Sequence, residues 1–304
     1  MIDIQEVRLQ AYGLNTDKDK QEEKNTFDAR SRLKVYFLNF LFIASLITFA
    51  FFKENKFLIF PFVLLNGFFS IPYLRVFIHS EMHWGLSDNF VQKKYFRYLA
   101  FAIYQVPFIA YQYGHRAHHR FDNDVPVSFL SQDKQSTYLY SKDKKPINFM
   151  TWIIHYLFAY QFFYQTKLVF ESKIVKNIFL FFMQVFVILL LDFIIFSISS
   201  KFFFYILIPS LIISWVGSGI VLYMMHNVDY DSAVYHHSVN SYSKFFNKFG
   251  DNDGLHIVHS LYPFLHPAHA VQIDDLLKVD LTPQQKLSGH YVYEFFKEKF
   301  KSNS

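Results

Sequence analysis

The sequence predicts an all-α integral membrane fold with four transmembrane helices in two hairpins and interfacial helices beside them. Three observations carry this prediction. Hydrophobic residues make up 52% of the 304 positions against 18% charged, a balance far from that of a soluble domain. Charged residues crowd the two ends of the chain, and four runs between them reach the roughly 20 apolar residues that a hydrocarbon core about 30 Å thick requires. Those runs come in pairs, each pair joined by a link of only a few residues. The same composition excludes a disordered chain. With no cysteine, disulfides, thiolate zinc sites, iron–sulfur clusters and cysteine nucleophiles are excluded together. The net charge of +5 forms no basic stripe, which fits loops against anionic headgroups and no nucleic-acid partner.

Residues 1–34 balance acids and bases without an apolar run, so they read as a solvated polar arm, neither a secretory signal nor a removable targeting helix. The spans follow: Val35 to Phe52 and Phe57 to Ile78, linked by Lys53-Glu54-Asn55-Lys56, then Ile178 to Ile198 and Phe202 to Met225, linked by Ser199, Ser200 and Lys201. Only three of the 30 basic residues, Lys53, Lys56 and Lys201, lie at the hairpin tips. The positive-inside rule therefore puts both termini and the long middle loop in the cytoplasm of a multi-pass protein. Tyr95 to Tyr113 and Phe149 to Phe170 are also apolar. The second interleaves Trp152, His155, Tyr156, Tyr160, Gln161, Tyr164 and Gln165, the texture of a helix lying in the headgroup layer, and both are expected to be interfacial. Gln132 to Pro146, rich in Lys, Asp and Ser, reads as the nearest thing to a flexible loop. Residues 35–270 form one membrane domain on this reading, and 271–304 a cytoplasmic tail.

The 14 histidines are informative by position. His79 and His83 stand at i, i+4 where the second span ends, one helical turn apart on nearly the same face. His115, His118 and His119 repeat that geometry at i, i+3, i+4, His256 and His259 at i, i+3, and His226 closes the fourth span. A lone pair of this kind is more often a satisfied surface pair, but unpartnered buried imidazoles are costly, and eight at one membrane boundary point to a metal-binding cap. Eight imidazoles exceed what one ion can use, so two ions are expected. His155 and His290 stand alone and read as structural, and the adjacent His236 and His237 as loop residues. A zinc peptidase needs Glu directly after the first histidine, whereas His79-Ser80-Glu81-Met82-His83 turns its acid about 100° away. Soluble carboxylate di-iron bundles need Glu-x-x-His, which is absent from the chain. Imidazole nitrogens suit iron, zinc or copper but not magnesium or calcium, and iron is the metal expected here.

These motifs resemble the integral-membrane fatty acid desaturase and hydroxylase superfamily, marked by three histidine boxes on a four-span scaffold. His79 to His83 looks like the first box. His115-Arg-Ala-His118-His119-Arg-Phe-Asp-Asn looks like the second, and His256-Ile-Val-His259-Ser-Leu-Tyr-Pro263 like the third. His226 matches an additional ligand at the end of the fourth span, and His269 a histidine shortly after the third box. The resemblance runs from about Leu33 to Ala270. It implies two non-haem irons held by His79, His83, His115, His118, His119, His226, His256 and His259. Ser260 stands where the family usually has a second adjacent histidine, and Ser80 where it usually has an acid. His269 or a bound water then fills the open position.

Removing hydrogen from an unactivated methylene is beyond any side-chain base and needs an oxidised metal, so dioxygen is the co-substrate. The expected reaction is desaturation of a fatty acyl chain carried by a lipid or an acyl carrier. Hydroxylation, acetylene formation or carotenoid oxygenation on the same scaffold are alternatives, as is a non-catalytic metal carrier or transporter. The last would need ionisable groups on several spans, whereas Asp192 and Gln184 sit on a single one. Asp192 is either functional or bonded to Asn66, a Ser or a Tyr. Electrons must come from an external donor, a ferredoxin or a b-type cytochrome with its reductase, since the chain has no segment to hold such a centre. Asp122, Asp124, Asp229, Asp231, Asp251 and Asp253 are the candidate acceptors for the histidines' outer nitrogens.

Overall fold

Every long apolar run of the sequence becomes a helix, because backbone groups that leave water in a bilayer must be bonded within their own segment. The structure, a computed structural model, describes residues 2–126 and 130–301, with the side chain of residue 301 left out. The described chain is helical with one two-residue parallel pairing, β1 (Asn240–Ser241) on β2 (Lys286–Leu287). Among the described residues four helices are long and apolar enough to cross a membrane: α2 (Gln21–Phe51), α3 (Lys56–His83), α8 (Val175–Ile198) and α9 (Ser200–Met225). The chain divides into two compact units. The first comprises Met1–Asp28, Arg116–Tyr160 and Gly219–Ser304, and the second Ala29–His115 and Gln161–Ser218.

The second unit holds both hairpins. Ser199 ends α8, and its hydroxyl caps the next helix by accepting from Phe202 N at 3.0 Å. The same hydroxyl donates to Glu54 Oε1 at 2.6 Å, and Lys201 Nζ lies 2.9 Å from Glu54 Oε2, so the two hairpin tips are tied by one carboxylate. These bonds hold the Glu54 carboxyl below the usual carboxylate range, the one from Ser199 foremost. Farther along, Phe202 packs edge-on to Phe42 and against Phe49. A Cβ at Gly67 would stand 3.1 Å from the Ile213 side chain, so the glycine lets α3 and α9 approach closely.

Between the hairpins the chain runs through α4 (Phe90–Tyr95), a π-helical turn and a 3-10 turn, and reverses at Gln105 in a left-handed conformation (φ 64°). It returns as α5 (Phe108–Phe121). Tyr95 to Tyr113, expected in the headgroup layer, instead reaches along α8 at two separated levels. Gln184 accepts from Ile109 N at 2.9 Å and donates to Arg97 O at 3.3 Å. Gln105 donates to Asp192 Oδ1 at 2.8 Å, about 25 Å along α8 from its start. Trp215 Nε1 supplies Tyr104 O at 3.2 Å. Irregular backbone inside a membrane protein survives only when its polar groups are bonded by protein, and Gln184 and Trp215 supply such bonds here while Asp192 holds the Gln105 side chain. The partner of Asp192 is thus Gln105, not Asn66, Ser or Tyr.

In the first unit the N-terminal segment is not a solvated arm. Asp3 caps α1 (Ile4–Thr16) by accepting from Gln5 N at 2.8 Å. Val7 and Ala11, one turn apart, are buried against Leu255, Val258, Tyr262, Ile273 and Leu277. Two apolar residues were too few to reveal a buried face in so charged a segment. The first spanning helix likewise begins at Gln21, well before Val35. The core that α1 completes is built on α11 (His256–Leu261) and α12 (Ala270–Leu277). The loop that follows residue 130 is ordered rather than flexible. Tyr138 and Leu139 are fully buried, Thr137 Oγ1 donates to His226 O at 2.9 Å and Tyr138 Oη to Val228 O at 2.5 Å.

Candidate metal centre

In the second unit, His79 and His83 end α3 and His115 lies in α5. Their ligand nitrogens all lie within 4.8 Å of one another, and His83 Nε2 stands 3.0 Å from His115 Nε2. Tyr111 stacks on His115 with ring centroids 5.7 Å apart and planes 6° from parallel. Glu81, the acid within the first box, faces away from these rings. It accepts from Leu86 N at 2.7 Å and from Arg97 Nε at 2.8 Å, fixing the chain as it leaves α3.

In the first unit, His118, His226 and His256 form a second buried group with ligand atoms within 4.8 Å of each other, and His226 Nε2 is 3.0 Å from His256 Nε2. Beside them His119 Nε2 is 3.0 Å from His259 Nε2. Two imidazole nitrogens each about 2.1 Å from one ion and at right angles to each other are separated by about 3 Å. That spacing therefore fits shared metal ligation. The outer nitrogens agree. His118 Nδ1 donates to Asp133 Oδ2 at 2.6 Å and His226 Nδ1 to His237 O at 3.3 Å, which makes Nε2 the nitrogen of each ring that can bind a cation. Burial, then the neighbouring His118, pushes the His226 imidazole well below its usual range, so it is neutral, the form that binds metal.

Local structure explains these positions. α5 stops after the second box because Asp122 and Asn123 both turn left-handed (φ 57° and 52°), a conformation that Asp and Asn tolerate. Asn123 then accepts from Thr137 N at 2.9 Å and donates to His237 O at 3.3 Å. Asn240 Oδ1 accepts from Ile257 N at 2.8 Å and so holds the first turn of α11, which carries His256 and His259. Asp133, missed by the sequence reading, accepts from Asn123 N and Gln135 N as well as from His118. Asp124, one of the six acids proposed for the outer nitrogens, accepts instead from Gln132 N at 2.9 Å and Asp133 N at 2.7 Å, and so sets the acid that does the work. Asp122 serves His236 at 2.5 Å, and Asp231 pairs with Lys144 on the surface.

The grouped histidines do not include His269. Its ring is fully buried, with Nδ1 3.8 Å from Glu23 Oε2, and burial pushes its pKa down. His155 bonds Lys134 O at 3.0 Å and His290 packs edge-on to Phe246. His237 stacks on Tyr230 at 3.6 Å, and burial lowers its pKa to about 4.

No curated protein and no solved structure matches the chain. The fatty acid desaturase profile matches residues 55–287, about three quarters of the sequence, and encloses every grouped histidine. Four apolar helices, histidine groups that can hold metal ions and this match together place the chain in the fatty acid desaturase family, a family of membrane oxidoreductases.

Proposed function

We propose that the protein is a membrane-bound non-haem di-iron desaturase that uses dioxygen to introduce a carbon–carbon double bond into an acyl chain carried by a lipid or an acyl carrier. The observation that carries this reading is the imidazole geometry: three Nε2 pairs at 3.0 Å with no carboxylate in either group. Ligands of this kind suit iron, and eight of them across two ions leave positions for oxygen. We assign them as His79, His83, His115, His118, His119, His226, His256 and His259, with water rather than His269 in the position left by Ser260. Bound iron supplies the oxidising power that no side chain has. The protein's own part is to hold the imidazoles fixed. Asp133 and the His237 carbonyl orient two of them, and burial of His79, His115, His118, His226 and His256 keeps bulk water away. Electrons arrive from a separate donor, and both termini lie in the cytoplasm.

The test is mass spectrometry of lipid extracts from cells with and without the chain. Loss of two hydrogens from an acyl chain is the expected result. Gain of one oxygen would make the enzyme a hydroxylase, and unchanged lipids under iron-replete, aerobic conditions would remove the desaturase reading.

A further inference from the structure

A cavity of about 390 Å³ opens in the second unit where α4, α5 and the first turn of α8 meet. Lys93, Lys94, Arg97 and Lys176 line it, and none of its lining residues is acidic. Phe90, Phe108, Ile109 and Leu180 form its apolar wall. The wall is built rather than incidental. Gln184, 5% exposed, bonds both Ile109 N and Arg97 O and locks α4's continuation to α5. Arg97 is held through Nε by Glu81, whose side chain is fully buried, which leaves its terminal amino groups for another acceptor.

The charge balance is positive. The Arg97 charge is offset by Glu81, and Lys93 lies 3.5 Å from the fully exposed Asp88, a contact of little worth in water. Among the described residues no carboxylate pairs with Lys94 or Lys176, and Lys94 Nζ lies 5.5 Å over the Phe90 ring and 5.4 Å over that of Tyr98. Lys176 follows the first residue of a 24-residue apolar helix, and Phe90 of the lining and Val91 and Val175, next to lining residues in the chain, are 72%, 72% and 80% exposed. Cations above an apolar wall, with an exposed apolar rim at the start of a span, match a lipid at the membrane surface: phosphate on the amines, first methylenes on the rings. The volume lies in the range of small-molecule sites and exceeds what a bare phosphate fills.

We propose that this cavity binds the phosphate-bearing headgroup of an anionic membrane phospholipid, with Lys94 and Lys176 as its main cationic contacts. The test uses the full chain in neutral detergent, titrated with dihexanoyl phosphatidic acid, dihexanoyl phosphatidylcholine, inorganic phosphate and coenzyme A, with binding read by thermophoresis. It needs neither metal nor turnover, so its outcome is independent of the desaturase reading. Phosphatidic acid is expected to bind saturably and at least tenfold tighter than the other three. The Lys94→Gln/Lys176→Gln pair should weaken it at least tenfold without moving the unliganded melting temperature, and Leu180→Trp, which fills the apolar wall, should weaken it with both lysines intact. Unchanged affinity in both variants would overturn the proposal. Inorganic phosphate as tight as the lipid would make this a free-phosphate site, and coenzyme A tighter than the lipid a site for a soluble thioester, and either result also overturns it.

Discussion

Asp133 is the carboxylate on which the orientation of His118 depends, and it accepts three hydrogen bonds while almost wholly buried. Asp133→Ala should lower metal affinity by about 10–100-fold, the usual effect of removing a ligand's outer partner. Metal titration of the purified variant checks this, with His155→Ala and His290→Ala, whose rings meet Lys134 O and Phe246, retaining wild-type affinity. Asp274 makes a different kind of claim. Burial raises its carboxyl to about 6, against hydrogen bonds from Tyr242 and Asn240. The folded chain therefore keeps a proton that the unfolded chain releases near pH 4. Asp274 thus contributes stability that is fullest below pH 4 and is lost as pH rises through 6, on the order of 3 kcal/mol in all. Asp274→Asn keeps the acceptor oxygen and loses the titration, so melting temperatures measured from pH 4 to 7 should lose that component of the decline. The histidines were legible one by one because their spacing follows the helix period, whereas Asp133 was not: it sits in a run of Lys, Asp and Ser that has no period at all.

At the scale of elements, the third box depends on a turn that the sequence hardly marks. A Cβ on Gly254 would stand 2.7 Å from Ser241 O and 2.3 Å from Asn247 Oδ1, and Gly254 directly precedes Leu255 and the start of α11. Gly254→Ala should therefore lower the melting temperature and release metal. The backbone oxygen cannot move aside cheaply, so a destabilisation of about 1–3 kcal/mol is expected. Equal thermal stability and metal content in Gly254→Ala would show that the turn relaxes freely. The four spans could be read from hydropathy because bilayer thickness fixes their length. α1 could not, since its buried face amounts to Val7 and Ala11. The inward reach of the chain to Gln105 was hidden for a related reason: its backbone is bonded by Gln184 and Trp215 and the Gln105 side chain by Asp192, residues distant in sequence.

For the whole molecule, the ligand assignment requires His115, His118 and His119 to lie on the same side of the bilayer as His256 and His259. The cysteine-free chain makes this easy to check. Lys142 and Lys244 are exposed, unlike the adjacent Ser141 and nearby Ser241, and cysteines at both should react only from the cytoplasmic side, with Lys53→Cys at a hairpin tip reacting only from the other. Opposite accessibility of positions 142 and 244 would separate the second box from the third. The most direct measurement is the metal content of the purified, iron-loaded protein by elemental analysis. Two irons per chain are expected, lost in His118→Ala, His226→Ala and His259→Ala and retained in His269→Ala. A well-folded preparation that holds zinc, or fewer than two irons after full loading, would contradict the di-iron assignment.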